Sequence, residues 1–175
     1  NGYVQLRLVG KGKNPLALRI AHNDAKIANV LFDADSGKAI CVVDLDTVMP
    51  GSPLHDFGDM MRSMTSHRRE DQGDSAEASL DLALFEALAD GYVGEARSFL
   101  TPAETALLTT AGRVITFEQG VRFLTDYLLG DVYYRTQRPA QNLDRARSQL
   151  ALLEAMMRQQ REMDGLVNAR LSPAR

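Results

Sequence analysis

The sequence predicts an α+β chain that is mainly helical, with one short β-hairpin near its start. Three observations point there. Val30-Leu31-Phe32 and Ala39-Ile40-Cys41-Val42-Val43 are short apolar runs on either side of Asp33-Ala34-Asp35-Ser36-Gly37-Lys38, a turn rich in Asp and Gly. From Ala76 onward, apolar residues recur with a helical period. Thr101-Pro102-Ala103-Glu104 is a helix start, with Thr as cap, Pro at the first helical position and Glu placed to close a capping box. At 175 residues and 45% hydrophobic content, one domain with a normal core is expected.

In chain order, residues 1–15 read as the tail of upstream structure, 16–163 as the body and 164–175 as a fraying tail. Leu16–Ile20 is an extended approach to a polar loop. The hairpin follows that loop, and Met49-Pro50-Gly51-Ser52-Pro53 is a turn-rich link. A helix is expected from Asp56 to Met64, with Asp56 and Asp59 favouring its start by capping and dipole. Asp56 has a second reading, as a brace behind the polar loop. His67–Ser75 reads as an exposed loop, and His67 has no assigned role.

Leu80, Leu82, Leu84, Phe85, Leu88 and Tyr92 then mark a helix. Leu107 through Leu124 predicts one long helix, bent near Gly112 or Gly120. Arg122 and Asp126 are four apart on it and share a face. Arg138–Asn142 breaks the pattern. Asn142 is expected to cap a last helix to about Met163, with Leu143, Ala146, Leu150, Leu153, Met156 and Met157 facing the core.

A net charge of −3 argues against a nucleic-acid surface or a basic membrane patch. Cys41 is the one cysteine, so a disulfide framework is excluded and a reduced, cytoplasmic setting fits. Its place in an apolar strand predicts a small buried hydrophobe. No apolar run approaches membrane-spanning length, and the first residues lack a signal-peptide core.

The chemistry concentrates in Ala21–Asp59. His22-Asn23-Asp24-Ala25-Lys26-Ile27-Ala28-Asn29 puts an Asn five residues after an Asp, the catalytic-loop spacing of kinases that use Mg-ATP. In that chemistry Asp24 accepts the proton of the attacking hydroxyl and the Asn29 side-chain oxygen binds magnesium. Lys26 either approaches the γ-phosphate or is a solvated surface lysine. His22 shapes the loop through backbone carbonyls. Asp44 ends an apolar strand, where it can hold a second metal-phosphate contact, and the hairpin brings the two sites together. Asp46 either supports the metal ligands or faces the substrate, and Thr47 offers a hydroxyl. Asp56-Phe57-Gly58 spells a kinase metal motif but lies well beyond the hairpin, so Asp44 is preferred as the metal ligand.

HNDAKIANVLFD, CVVDLDTVMPG and HDFGDMMR together resemble the aminoglycoside and choline kinase-like phosphotransferases. The closest resemblance is to the N-acetylhexosamine 1-kinase branch, extended by RFLTDY, GDVY and NLDRAR as far as about Leu153. It implies a kinase-like C-terminal lobe, ATP and Mg²⁺, and transfer to the anomeric hydroxyl of an amino sugar. It also puts Arg122 at the sugar or phosphate and Tyr133 on a sugar face. Such a kinase needs an N-terminal lobe with a phosphate loop and a lysine. Gly10-Lys11-Gly12-Lys13 is the sole candidate and is too short, so the missing N-terminal lobe is the expected partner and the chain alone is expected to be inactive. Choline, homoserine or aminoglycoside acceptors are alternatives. So are a D-x-D glycosyltransferase using Asp44-Leu45-Asp46, which leaves HNDAKIAN unexplained, and a catalytically silent module.

Overall fold

The computed structural model describes residues 16, 18–67, 70 and 80–172. The 1–15 tail with Gly10–Lys13, most of the 67–75 loop and the last three residues lie outside the described set. Among the described residues, four short strands and six α-helices follow in order: β1 (Arg19–Ala21), β2 (Val30–Phe32), β3 (Ala39–Val42), β4 (Met49–Gly51), α1 (Pro53–Met64), α2 (Leu82–Ala96), α3 (Pro102–Thr105), α4 (Leu108–Leu128), α5 (Gln141–Arg158) and α6 (Gln160–Leu171).

The strands form two separate antiparallel pairs. β2 and β3 make the hairpin, pairing Val30 with Val42 and Leu31 with Cys41, with a bulge before Phe32. β1 pairs with β4, Arg19 opposite Gly51 and Ala21 opposite Met49, which clamps the base of the polar loop. The strand at the loop entrance therefore covers Arg19–Ala21 rather than Leu16–Ile20. Cys41 is exposed, against expectation. The whole of β3 is exposed, and Leu31, Phe32, Ile40 and Val42 keep about half or more of their surface open. Among the described residues no layer covers the hairpin, so its apolar composition does not translate into burial.

α1 starts earlier than the acidic pattern suggests. Ser52 caps it by accepting the Leu54 N–H, and Pro53 occupies the first helical position. Asp56 is therefore inside the first turn and caps nothing. Leu54, Phe57, Gly58 and Met61 form the buried face. Gly58 allows α1 to cross α4 closely: a Cβ there would stand 2.6 Å from Ile115 Cγ1 and 3.0 Å from the Ala111 carbonyl oxygen.

α2 is capped by Asp81, which accepts from the Ala83 and Leu84 N–H groups. The capping box at Thr101 and Glu104 forms as read, but the helix it opens is only four residues long. The chain turns at Ala106–Leu107 and restarts as α4, which runs unbroken through Gly112 and Gly120. Likewise the last helix is two. α5 ends at Arg158, Gln159 adopts a non-helical conformation, and α6 continues to Leu171. Met163 and Val167 are buried, so the stretch from Gly165 to Leu171 is helix and not a frayed tail.

The core joins Leu54, Phe57 and Met61 to Phe85, Ala89 and Val93 of α2, Leu108 and Ala111 of α4, Leu152, Ala155 and Met156 of α5, and Met163 and Val167 of α6. On α5 the buried stripe carries Ala146 and Met156 as read. Leu152 and Ala155 replace the expected Leu150 and Met157, the latter 59% exposed. No helix among the described residues is long and apolar enough to cross a membrane.

Candidate active site

The polar loop between β1 and β2 is held from two sides. From α1, the Asp56 carboxylate accepts the backbone N–H groups of His22 at 2.9 Å and Asn23 at 2.8 Å. From the hairpin, Val43 donates its N–H to the Asn29 carbonyl at 2.9 Å, and the His22 ring Nε2 lies 3.2 Å from the Val43 carbonyl. Asn23 turns the chain with φ +61, a region that Asn tolerates better than most residues. Its side chain then donates to the Ala21 and Thr47 carbonyls at 3.1 Å each, tying the loop to the segment after β3.

These restraints fix a compact trio. Asn29 is buried, and its amide nitrogen reaches Asp24 Oδ2 at 3.0 Å and the Asp24 carbonyl at 2.9 Å. Lys26 Nζ meets the same Asp24 oxygen at 2.6 Å. Asn29 thus spends its nitrogen on Asp24, which leaves its amide oxygen for a cation. Asp44 follows Val43 directly, one residue beyond the backbone bond from Val43 to Asn29. Asp44 is exposed and takes a left-handed conformation, φ +64, at the start of a single 3-10 turn, Leu45–Thr47. Asp46 is exposed on that turn. Thr47 lends its carbonyl to Asn23, while its hydroxyl is buried without a partner.

Asn29 and Asp44 are the two oxygen donors that would hold a cation here, and among the described residues no cluster of three or more His, Cys, Asp or Glu side chains adds to them. Two donors suit magnesium, which keeps most of its water and is completed by substrate phosphates.

Beyond the trio lies an open cavity of about 840 Å³. Asp24, Lys26 and Thr47 stand on its near side, Arg62 and Ser63 of α1 beside them, and α4, α5 and the 133–135 segment on its far side. Asp59 is mostly buried, and burial raises its carboxyl above the ordinary value. Arg62 at 3.4 Å opposes that shift, and the charges of Asp24 and Asp56 add to it.

The far wall is built around Asp126. Its carboxylate accepts the Tyr133 N–H at 2.8 Å, the Tyr134 N–H at 2.9 Å and the Asn142 amide at 2.9 Å. Asn142 also reaches Asp131 at 2.8 Å and accepts from Arg145 at 2.8 Å. One expectation falls here. Asn142 does not cap α5; Ala140, φ +59, occupies that position. Asp126 does not pair with Arg122, because its oxygens are taken by backbone donors seven and eight residues on. Arg122 stacks instead over the Tyr133 and Tyr134 rings, 5.9 and 5.6 Å from their centroids. Tyr133 is 73% exposed on the cavity rim. Tyr134 is half-buried, and burial raises its phenol pKa.

The structure therefore joins Asp24, Lys26 and Asn29 by direct contacts and brings Asp24, Lys26, Thr47, Arg122 and Tyr133 to one cavity, whereas Asp44 is exposed and is not among the residues that line it. Asp56 stands behind the loop, outside it. The sequence reading missed Arg62, Gln119, Arg145 and Gln149 as cavity residues. Only Arg62 carried a local signal, its i, i+3 spacing from Asp59.

Residues 7–98 match the model of the phosphotransferase enzyme family, a span of more than half the chain that takes in the loop, the hairpin, α1 and α2. On that match, the chain belongs to the phosphotransferase enzyme family and is a kinase-type transferase.

Proposed function

We propose that the protein is an ATP- and Mg²⁺-dependent small-molecule kinase acting on the anomeric hydroxyl of an N-acetylhexosamine, with residues 16–163 forming a kinase-like C-terminal lobe. The observation that carries it is Asp24. It is held by Lys26 and Asn29 at the mouth of a cavity whose other wall presents Arg122 and Tyr133.

In this reading the Asp24 carboxylate orients the acceptor hydroxyl and takes its proton as the oxygen bonds to the γ-phosphorus. The bond from that phosphorus to the β-γ bridging oxygen breaks, and ADP leaves with the electron pair. Lys26 keeps Asp24 in place and adds positive charge beside the transferring group. Asn29 and Asp44 would hold magnesium, which supplies charge neutralisation of the phosphates. Tyr133 offers a ring face to the sugar, with Arg122 stacked behind it. Asp46, exposed beside Asp44, is assigned to the substrate side.

The far wall supports a neutral acceptor over a polycation. Arg122, Arg135 and Arg145 line it, and none of them has a carboxylate partner among the described residues. An aminoglycoside or choline would meet charge repulsion there. The exposed apolar hairpin, together with Leu18 and Ile20 at 77% and 75% exposure, supports cover by an N-terminal lobe that brings the nucleotide. The acetylated-sugar assignment itself rests on the DLDT and RFLTDY resemblance.

The test is to incubate the full-length protein with ATP, Mg²⁺ and N-acetylglucosamine or N-acetylgalactosamine and follow sugar 1-phosphate by phosphorus NMR. Turnover with choline or an aminoglycoside and none with either sugar would overturn the substrate assignment.

A further inference from the structure

Two apolar stripes face away from the cavity. On α4, Phe117, Val121, Leu124 and Leu128 recur at steps of four, three and four, which at 3.6 residues per turn keeps them within about 60° of one another. Phe117, Val121 and Leu128 are exposed, Leu128 at 73%, and Leu124 is half-buried. On α5, Leu143, Leu150 and Met157 recur every seven residues, and Leu150 and Met157 are exposed. The same helices turn Gln119 and Arg122, and Arg145 and Leu152, to the cavity, on their opposite sides. The two stripes adjoin. Leu150 lies over Gly120, where a Cβ would stand 3.5 Å from Leu150 Cδ2. A continuous exposed apolar face of this kind marks a place of contact.

The charges on α5 select the occupant. Arg147 comes three residues before Leu150 and Glu154 four after, both exposed and on the side of the stripe. Each has a neighbour on its own helix, Asp144 at 3.6 Å and Arg158 at 3.8 Å, but exposed pairs at such distances hold weakly. A second α5 laid antiparallel across the first, centred on Leu150, puts Leu150 on Leu150, Leu143 on Met157 and Arg147 on Glu154. By two-fold symmetry the last two contacts occur twice. The same axis crosses α4 at Gly120, because Gly120 lies beside Leu150, and there it sets Phe117 of one copy against Leu124 of the other. A parallel α5 pair would oppose Arg147 to Arg147 and Glu154 to Glu154. We propose that the α4–α5 face is a homodimer interface: two copies of this chain pack antiparallel about an axis through the Gly120–Leu150 contact, with both cavities turned away from it.

The experiment is sedimentation equilibrium on the full-length protein across the micromolar range. The wild type should show the mass of two copies and Leu150→Glu the mass of one. Arg147→Glu and Glu154→Arg should each raise the dimer Kd about tenfold or more, since each turns two attractive contacts into two repulsive ones. The double variant Arg147→Glu with Glu154→Arg restores both attractions, so its Kd should return to within about threefold of the wild type. The charge variants alter only exposed side chains, so they carry the test even if Leu150→Glu lowers the melting temperature. A wild type with the mass of one copy throughout would overturn the proposal and leave the stripe to another part of the full-length protein. A dimer that survives Leu150→Glu and both single charge changes would place the interface elsewhere. A double variant as weak as the single ones would overturn the antiparallel pairing.

Discussion

The two walls of the cavity are hung by the same device. On the near wall, Asp56 of α1 accepts the consecutive backbone N–H groups of His22 and Asn23. On the far wall, Asp126 of α4 accepts those of Tyr133 and Tyr134. A carboxylate on a rigid helix, gripping two successive amides, turns a flexible loop into a fixed platform. The difference lies in what each platform carries. The near loop presents Asp24, Lys26 and Asn29, two charged groups and an amide, to which the proposed function assigns the proton and the phosphoryl group. The far loop presents Tyr133 and Tyr134 under Arg122, groups suited to recognition. The family match ends at residue 98, so it spans the near wall and stops before α4 and the far wall. The chemistry is thus read from the shared half, and the substrate must be read from the other.

Five changes break or sharpen this contrast. Asp24→Asn should give the largest effect, a loss of about 10²- to 10⁴-fold in turnover with nucleotide binding retained, since only the base is removed. A variant with near-wild-type kcat would leave the near wall without its assigned chemistry.

Asp126→Ala should be primarily a stability mutation. It leaves two backbone donors and the Asn142 amide without their acceptor inside the protein, at about 2–4 kcal/mol by chemical denaturation. In whatever folds, KM for the acceptor should rise more than kcat falls. Damage to nucleotide affinity instead would mean that the two walls are not functionally separate.

Asp56→Ala should cost about 1–3 kcal/mol of stability, through the two amides it now satisfies. Here kcat should fall more than the acceptor KM rises, the reverse of Asp126→Ala, because the loop that carries Asp24 loosens. Magnesium titration calorimetry adds a check on the alternative ligand: Asp44→Ala should abolish the magnesium-dependent part of nucleotide binding, and Asp56→Ala should keep it.

The smallest effect concerns Glu104 of α3, which is not among the residues lining the cavity. Burial works against its charge, but hydrogen bonds from Arg19 and Thr101 outweigh this and hold its carboxyl below the ordinary value. A lowered folded pKa stabilises the protein above the ordinary carboxylate range, and that stability drains away as pH falls through the folded value. Melting curves from pH 7 down to pH 3 should therefore fall less steeply for Glu104→Gln than for the wild type. Parallel curves would mean that the Arg19 pair contributes nothing.

Local pattern was enough for the Asp24-to-Asn29 spacing, the hairpin on its Asp-Gly turn, the capping box at Thr101 and the helical character after the hairpin. Each of these depends on residues within a turn or two of one another, so side-chain spacing and backbone preference determine it. Tertiary structure decided the rest. Cys41 looked like core because β3 is apolar, but burial depends on what lies over a strand, and nothing in the strand itself says whether anything does. Asp56 had two readings, a cap and a brace behind the loop; its partners, 33 and 34 residues away, make it the brace, a choice between them that only the fold could make. Asn142 looked like a cap because it precedes a helix, and its amide instead joins Asp126 to Asp131 across 16 and 11 residues. An unbroken run of helix formers from Asn142 to Met163 could not announce the stop at Gln159. That stop redirects α6 onto α2, where Arg170 meets Glu86 and Asp90. A buried polar side chain takes whichever donor or acceptor the folded chain brings to it, and sequence spacing is silent about groups that only folding makes neighbours.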